Sequence, residues 1–196
     1  MKIVGLTGGI GSGKSTVANY FSSFDNVAIY IADEQAKKLM QTSQLIKQKI
    51  KEVFGVSSYI GNSLNKKYIS NIVFKDTSKL ESLNKIVHPE VRKHFHNFLK
   101  EKRNKSIIIY EAAILFESDN SQFCDSIITV YTDPFTRIKR VIDRDNVSKE
   151  NVLYRMKNQL SDTHKLLQSN YVIYNEDLNK TKDQVRKIHK ILTKKS

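Results

Sequence analysis

The sequence contains little cysteine and no long apolar segment. Cys124 is the only cysteine, so an internal disulfide is excluded and a reducing compartment is expected. A lone cysteine between Phe123 and Asp125 is more often inert than catalytic, because activating surroundings are rare. No apolar run approaches the ~20 residues of a membrane-spanning helix. We therefore expect a cytoplasmic protein that does not enter a membrane.

Signal-peptide features are also missing at the N-terminus. Met1–Leu6 run directly into a glycine-rich loop, without the charged, apolar and small-residue segments of a secretion signal. Internal repeats and low-complexity linkers are absent, while 39% of the residues are hydrophobic. This content is enough for a core, and we expect one domain with elaborations over residues 1–196.

Acidic residues are too few to balance the basic ones. The net charge is +13, from 33 lysines and arginines against 20 acidic residues. Such a charge favours nucleotides, phosphorylated metabolites or nucleic acid as partners. However, the lysines are spread over helix-like segments, as at Lys37-Lys38 and Lys66-Lys67, without a compact basic block or an RNA-binding signature. We therefore expect small-molecule partners and no nucleic acid.

Five short apolar segments have the composition of buried strands. They are Lys2–Thr7, Val27–Ile31, Ser106–Tyr110, Ser126–Tyr131 and Tyr171–Tyr174. Near-continuous apolar runs of this length are typical of parallel strands covered on both faces. Longer helix-like segments separate them, which predicts an α/β fold with a five-stranded parallel sheet flanked by helices.

The longest interval lies between the second and third strands, and its apolar spacing is helical. We predict a helical insertion there, packed beside the sheet. Within it, His88-Pro89 predicts a helix boundary, because the residue before proline resists helical geometry. Asp133-Pro134 predicts the start of another helical region, which extends to about Lys165. A closing amphipathic helix is expected from Asp177 to Leu192.

The segment Gly8–Ser15, called the glycine loop below, matches the pattern G-x-x-x-x-G-K-S/T at every fixed position. A predicted strand precedes it and a helix-like run follows it. Glycines allow a tight turn and bring backbone amides close to phosphate oxygens. Lys14 supplies a charge for the β- and γ-phosphates, and Ser15 is the expected Mg²⁺ ligand. The loop therefore predicts binding of a nucleoside triphosphate, rather than a turn without a ligand.

The glycine loop alone does not distinguish a kinase from a GTPase or an ATPase. A guanine-reading motif is absent, since Asn179–Asp183 has one residue too many for the N/T-K-x-D pattern. Ile107–Glu111 could be the acid-ending strand of an ATPase, but the chain leaves little room for a coupled working domain. A small kinase explains more features, because it needs an acceptor site, an acid and phosphate-binding cations.

Asp33 follows the second predicted strand, where ligands collect in α/β sheets. Its carboxylate could accept the proton of an acceptor hydroxyl, or it could cap the following helix. His88 could contact the substrate as well as mark a helix end.

Arg137, Arg140 and Arg144 are spaced to share one helix face. They could cover a triphosphate, or they could pair with acids such as Asp143 and Asp145.

Taken together, these residues make the chain similar to the dephospho-coenzyme A kinase family, nearly from end to end. The motifs that carry the resemblance are Gly5–Ala18, Ile31-Ala32-Asp33, Phe54-Gly55, His88-Pro89, Leu115-Phe116-Glu117, Arg140, Arg144-Asp145, Gln159 and Asn175. The resemblance implies ATP-dependent phosphorylation of the ribose 3′-hydroxyl of dephospho-coenzyme A. It also implies a core (residues 1–33, 104–135 and 169–196), a helical acceptor-binding insertion (34–103) and a lid region (136–168).

The resemblance also implies roles for single residues. Asp33 matches the proposed general base, Arg140 and Arg144 match positions near the ATP phosphates, and Asn175 matches a position near the adenine. The expected site comprises catalytic Asp33, Lys14 and Arg140; ATP-binding Gly9, Gly11, Ser12, Gly13, Lys14, Ser15, Thr16, Arg140, Arg144 and Asn175; substrate-binding Asp33, His88, Lys66 and Leu115; and Ser15 for Mg²⁺.

Two other functions stay open at this point. A nucleoside or nucleotide kinase would use the same scaffold, and a nucleic-acid-stimulated ATPase would fit the basic charge. We expect a monomer or a weak homo-oligomer.

Overall fold

The computed structural model describes residues 1–73 and 75–194, which divide into two compact units. The first unit comprises Met1–Ile31 and Lys102–Ser196, and the second comprises Ala32–Glu101. Phe74 of the predicted insertion and residues 195–196 of the predicted core lie outside the described residues.

In chain order, the elements are β1 (Lys2–Thr7), α1 (Lys14–Ser22), β2 (Val27–Ile31), α2 (Ala32–Thr42), α3 (Gln44–Phe54), β3 (Tyr59–Ile60), β4 (Ser63–Leu64), α4 (Lys66–Val73), α5 (Thr77–Glu101), β5 (Ile107–Glu111), β6 (Ser126–Tyr131), α6 (Pro134–Asp145), α7 (Lys149–Lys157), α8 (Asp162–Leu167), β7 (Tyr171–Tyr174) and α9 (Leu178–Thr193). Short 3₁₀ turns lie at Val56–Ser58 and Asn120–Phe123.

Five strands form the sheet of the first unit, in the order β2-β5-β1-β6-β7. Neighbouring strands pair in parallel throughout. All five predicted strands are confirmed, and only β5 differs from its predicted bounds, by one residue at each end. Every residue of β5 is buried, as expected for a parallel strand covered on both faces.

The core of this unit joins the sheet to the helices that follow β1 and β7. Its buried cluster includes Leu6 of β1, Phe21 of α1, Ile128 of β6, and Val185 and Leu192 of α9. Burial of each such side chain stabilises the fold by about 1.5–3 kcal/mol. The packing holds α1 against the sheet, and it therefore fixes the direction in which the chain leaves β1.

The carboxyl ends of the five strands share one edge of the sheet, because the strands are parallel. β1 ends at the glycine loop, β5 ends at Glu111, and Thr132 directly follows β6. Since β5 and β6 flank β1, the segments after them lie on either side of the glycine loop. Ligands bind at this edge in open α/β sheets.

Three short helices occupy the region predicted to be helical after Asp133. Asp133 is the N-cap of α6, where its carboxylate accepts a hydrogen bond from the Thr136 amide at 2.9 Å, as the sequence predicts. α6 ends at Asp145, and its C-cap residue Asn146 has a φ of +51°, in the left-handed region. Serines cap the next two helices: Ser148 precedes α7 and Ser161 precedes α8.

Among its described residues, the second unit has four α-helices, a 3₁₀ turn and a small hairpin. α5 contacts α2, α3 and α4, and it buries Val87, Val91 and Phe95 at helical spacing. Within the described residues, no helix of either unit is long and apolar enough to cross a membrane.

The predicted helix boundary at His88-Pro89 is wrong, because α5 continues through Pro89. A proline inside a helix removes one hydrogen bond and costs about 3 kcal/mol. Val87, Val91 and Phe95 lie on both sides of the proline along the chain, and their burial offsets this cost. Tertiary packing therefore overrides the local preference.

The hairpin in the second unit was not predicted. β3 and β4 pair in an antiparallel arrangement, with Tyr59 opposite Leu64 and Ile60 opposite Ser63. Gly61 in the turn has a φ of +58°, which glycine adopts without strain. The dipeptide Gly61-Asn62 between two short polar-apolar segments is the signal that could have revealed it.

Candidate active site

The glycine loop connects β1 to α1. Gly11 and Gly13 have φ values of +79° and +88°, a region that favours glycine. The Ser12 amide donates to the Gly9 carbonyl at 3.1 Å and closes the turn. α1 then begins at Lys14, so the amides of its first turn face the loop. The arrangement presents backbone donors and the positive end of a helix to an anion.

Close packing around the loop holds this conformation. A β-carbon at Gly11 would come within 2.7 Å of the Arg137 carbonyl oxygen and 2.9 Å of the Val141 side chain, both on α6. A β-carbon at Gly13 would collide with the side-chain amide of Asn175. Both glycines are therefore required by contact as well as by backbone angle.

The buried side chain of Asn175 is hydrogen-bonded to the glycine loop. This side chain is 3% exposed, and its amide nitrogen donates to the Ser12 carbonyl at 2.8 Å. The Thr132 hydroxyl donates to the same carbonyl at 3.1 Å, and the Thr181 hydroxyl donates to the Asn175 amide oxygen at 3.0 Å. Both ends of the predicted adenine-binding side chain are thus engaged within the protein, where they support the loop.

Side chains of the loop differ in their surroundings. The ammonium group of Lys14 donates to the Gly8 carbonyl at 3.1 Å, so it lies across the loop. Ser15 is exposed and Thr16 is half-buried in the first turn of α1. The hydroxyls of Thr7 and Ser12 are buried and have no hydrogen-bond partner among residues 1–73 and 75–194. Within the described residues, the buried hydroxyl of Ser12 therefore makes no hydrogen bond.

Oxygen donors suited to Mg²⁺ are present at this edge of the sheet. Ser15 offers a hydroxyl, and Glu111 offers a buried carboxylate at the end of β5, where it is in register with Leu6 of β1. In the described part of the chain, no three histidine, cysteine, aspartate or glutamate side chains form a metal-binding group. These residues fit an ion that keeps water and phosphate oxygens as its other ligands.

Arg137 is buried beside Gly9 of the glycine loop and is paired with an acid. Its side chain is 4% exposed, and a terminal guanidinium nitrogen lies 2.6 Å from a carboxylate oxygen of Asp162. Of the two expectations for this helix face, a phosphate cover or pairing with an acid, the structure shows pairing for Arg137, with Asp162 instead of Asp143 or Asp145. Breaking such a buried pair by removing one partner costs about 3–5 kcal/mol.

Arg140 lies beside the loop, whereas Arg144 lies on the surface. The Arg140 guanidinium donates to the Asn175 carbonyl at 3.3 Å and to the Thr132 hydroxyl at 3.4 Å. Arg144 is 63% exposed and donates to Asp145 at 2.7 Å. This hydrogen bond lowers the pKa of the Asp145 carboxyl, as does a second one from Arg155.

Three predicted substrate-binding residues belong to the second unit. Asp33 is in the first turn of α2, which begins at Ala32, and not at the N-cap position. His88 is half-buried on α5. Burial and the charge of Arg92 lower the pKa of His88, while the charge of Asp33 opposes this shift. Lys66 is exposed at the start of α4. Asp33 therefore lies within electrostatic range of the His88 ring.

Leu115, the fourth predicted substrate-binding residue, is fully buried in the first unit. Its side chain lies against Gly5, where a β-carbon would come within 2.6 Å of Leu115 Cδ2. The side chain is part of the buried core, and its role in substrate binding stays a prediction.

Comparison with known proteins adds to this geometry. A family model described as dephospho-CoA kinase matches residues 2–181. The chain belongs to the dephospho-CoA kinase family. A dephospho-CoA kinase of Bacteroides fragilis is 35% identical over 173 residues, which cover 88% of this chain and 84% of that protein.

Solved structures agree with this family assignment. A crystal structure from Thermus thermophilus matches with a TM-score of 0.88 and 26% identity, covering 99% of this chain and 98% of that one. A dephospho-CoA kinase from Campylobacter jejuni matches with a TM-score of 0.69 and 25% identity, covering 97% and 98%. The fold is that of a P-loop kinase, and the chain is a kinase.

Sequence reasoning missed two buried or partly buried charged pairs near this edge of the sheet. Lys165 is fully buried and lies 3.3 Å from Glu117, and Asp162 holds Arg137. In the sequence these residues resemble the charged face of a surface helix. No local signal reveals their burial, because their partners are distant in the chain.

Proposed function

We propose that this protein transfers the γ-phosphoryl group of ATP to the 3′-hydroxyl of the ribose of dephospho-coenzyme A, which yields coenzyme A and ADP. The observation that carries the proposal is a complete glycine loop in a chain whose family match extends over residues 2–181. The loop accounts for the donor nucleotide, and the family accounts for the acceptor.

The triphosphate would bind to the amides from Gly11 to Thr16. Lys14 and Arg140 would offset the charge on the transferred group, since both cations lie at the loop. Arg144 would add a third cation after exchanging its hydrogen bond with Asp145 for one with phosphate. Asn175 would act mainly by holding the Ser12 carbonyl, and thereby the loop.

Ser15 and Glu111 are the residues that would hold Mg²⁺. When bound, the ion would neutralise charge on the phosphate oxygens. The Ser15 hydroxyl is accessible in the first turn of α1, and the Glu111 carboxylate ends the neighbouring strand.

Asp33 would receive or orient the proton of the acceptor hydroxyl as the new oxygen–phosphorus bond forms. His88, which is half-buried on α5, would contact the acceptor. Lys66, where the family often has arginine, would supply a positive charge to the acceptor. Closure of the lid region (136–168) would exclude water, which competes with the acceptor.

An acceptor panel tests the proposal. The purified protein is incubated with ATP, Mg²⁺ and one acceptor at a time, namely dephospho-coenzyme A, nucleosides or nucleoside monophosphates. ADP release is measured, and products are identified by mass. We expect a mass increase of one phosphate on dephospho-coenzyme A alone. Phosphorylation of nucleosides or nucleotides without dephospho-coenzyme A would identify a nucleoside or nucleotide kinase instead.

The basic charge motivates one further comparison, with DNA and RNA. ATP hydrolysis that rises when either polymer is added, without a small acceptor, would indicate a nucleic-acid-stimulated ATPase and contradict the proposal. A location in the cytoplasm and a monomeric or weakly associating state are further predictions, and sedimentation of the purified protein checks the second.

A further inference from the structure

Gln159 joins the glycine loop to the segment that follows β5. It lies between α7 and α8, and its side chain is half-buried. The Ile10 amide donates to the side-chain oxygen of Gln159 at 2.9 Å, and the side-chain nitrogen donates to the Ala113 carbonyl at 3.4 Å. The orientation of this amide is unambiguous, because a backbone N–H can only donate and a carbonyl can only accept.

The side chain of Gln159 is held between its two partners by its own neighbours. The Leu160 amide donates to Glu117 at 2.7 Å. The ammonium group of Lys165 lies 3.3 Å from the same carboxylate, and it donates to the Ala113 carbonyl at 3.2 Å. Burial lowers the pKa of Lys165, and the charge of Glu117 opposes the shift. The Ala113 carbonyl therefore receives two donors, and the segment after β5 is anchored independently of the glycine loop.

Ile10 is the third residue of the glycine loop, and its amide is occupied by Gln159. The amides from Gly11 onward follow this hydrogen bond along the chain, and α1 begins at Lys14. On the other side, Ala113 follows Glu111 by two residues. Gln159 therefore connects the glycine loop, which leads to Ser15 in α1, with the segment that follows Glu111 at the end of β5.

We propose that Gln159 is a positioning residue for phosphoryl transfer, which keeps the glycine loop in register with the end of β5. The inference rests on the proposed function, because it assigns Ser15 and Glu111 to the same Mg²⁺–triphosphate site. Without the link, the loop still binds nucleotide, but the phosphates and their oxygen ligands are less well aligned. A misplacement of about 1 Å can cost on the order of 10²-fold in rate.

Two variants test the two hydrogen bonds of Gln159, one with the Ile10 amide and one with the Ala113 carbonyl. Gln159→Met keeps the length of the side chain and removes both hydrogen bonds. Gln159→Glu keeps an acceptor for the Ile10 amide and loses the donor to the Ala113 carbonyl. Gln168→Met is the matched control, because Gln168 is exposed at the end of α8.

The kinetic readout is kcat per ADP-binding site, measured together with KM for ATP. For Gln159→Met we expect kcat to fall by about 10- to 100-fold, while KM for ATP changes by less than about threefold. Gln159→Glu should lie between this variant and the wild type, and Gln168→Met should match the wild type. A kcat for Gln159→Met within twofold of the wild type would overturn the proposal, as would a loss explained entirely by fewer ADP-binding sites.

Amide hydrogen exchange gives a readout that does not depend on activity. The Ile10 amide should exchange about tenfold faster in Gln159→Met than in the wild type, and it should stay protected in Gln159→Glu. Equal protection in all three proteins would overturn the proposal. If the wild type phosphorylates another acceptor instead of dephospho-coenzyme A, the proposed function fails, and the same variants are compared on that acceptor.

Discussion

The guanidinium group of Arg137 occupies the position at which a β-carbon of Gly9 would stand. Arg137 is held there by Asp162, at 2.6 Å. A substitution of Gly9 therefore acts on a buried ion pair as well as on the glycine loop. This relationship makes the second residue of the loop a packing requirement, although the loop pattern allows any residue there.

We predict that Gly9→Ala lowers the free energy of unfolding by about 1–3 kcal/mol, the usual cost of overpacking. Displacement of Arg137 from Asp162 is the physical cause. Urea unfolding of the wild type and the variant measures the effect. Arg137→Ala provides the control background, because the added methyl group meets no guanidinium there. A cost of Gly9→Ala that is equal in both backgrounds would contradict the assigned contact.

Asp33→Asn should lower kcat by about 10²- to 10⁴-fold and leave ADP binding nearly unchanged, because a general base contributes about this much. Glu34→Gln is the matched control, since Glu34 is an exposed acid in the same first turn of α2. Both substitutions remove a favourable interaction with the helix N-terminus, worth about 0.3–1 kcal/mol. Steady-state kinetics measures kcat for Asp33→Asn and Glu34→Gln. Similar kcat values in the two variants would show that Asp33 stabilises the helix and does not act as a base.

Arg140 and Arg144 of α6 should contribute unequally to kcat/KM for ATP. Arg140→Ala is expected to reduce kcat/KM for ATP by about 10²-fold, the loss typical of one donor to a developing charge. Arg144→Ala should have a smaller effect, because its guanidinium is exposed and bonded to Asp145. Kinetics with varied ATP measures both. Arg186→Ala on α9 controls for the loss of an exposed, acid-paired arginine, and a larger effect at Arg144 than at Arg140 would reverse the assignment.

Acid should weaken the first unit through His189. This ring stacks on Phe24 with 3.7 Å between ring centroids, and burial lowers its pKa. The folded state therefore resists protonation, so the stabilising contribution is complete above about pH 6.5 and is lost as pH falls through the lower folded pKa.

We expect the melting temperature to fall between pH 7.5 and pH 5 by less in His189→Phe than in the wild type. Phenylalanine keeps the stacked ring and cannot be protonated. His96→Gln, which removes an exposed histidine, should leave the pH dependence unchanged. An unchanged pH dependence in His189→Phe would exclude His189 as the source.

Cys124 should resist thiol reagents while the protein is folded. Burial raises the pKa of its thiol to about 12, and the neighbouring Asp125 adds to the shift. At pH 8 only about one thiol in ten thousand is then ionised, and the thiolate is the reactive form. A disulfide-exchange reagent should modify the native protein slowly and the urea-unfolded protein completely. Rapid modification of the native protein would show that Cys124 is accessible and ionised.

Local patterns were sufficient for much of the fold. The five strands were predicted from short apolar runs, because a strand buried on both faces needs such a composition regardless of its partners. The N-cap at Asp133 and the glycine loop were equally predictable, since both depend on a few consecutive residues. The Gly61 hairpin was missed although its turn residues are local, because its strands are only two residues long.

The α/β class, the glycine loop and the family follow from the identity and order of residues, so they can be read without a structure. The course of α5 through Pro89, the pairing of Arg137 with Asp162 and the burial of Lys165 become visible once the chain is folded. These outcomes depend on packing energies between residues that are distant in the chain, and such energies outweigh local preference. For the same reason, the three arginines of one helix face have different surroundings: Arg137 is buried against Gly9 and paired with Asp162, Arg140 bonds the Asn175 carbonyl, and Arg144 is exposed.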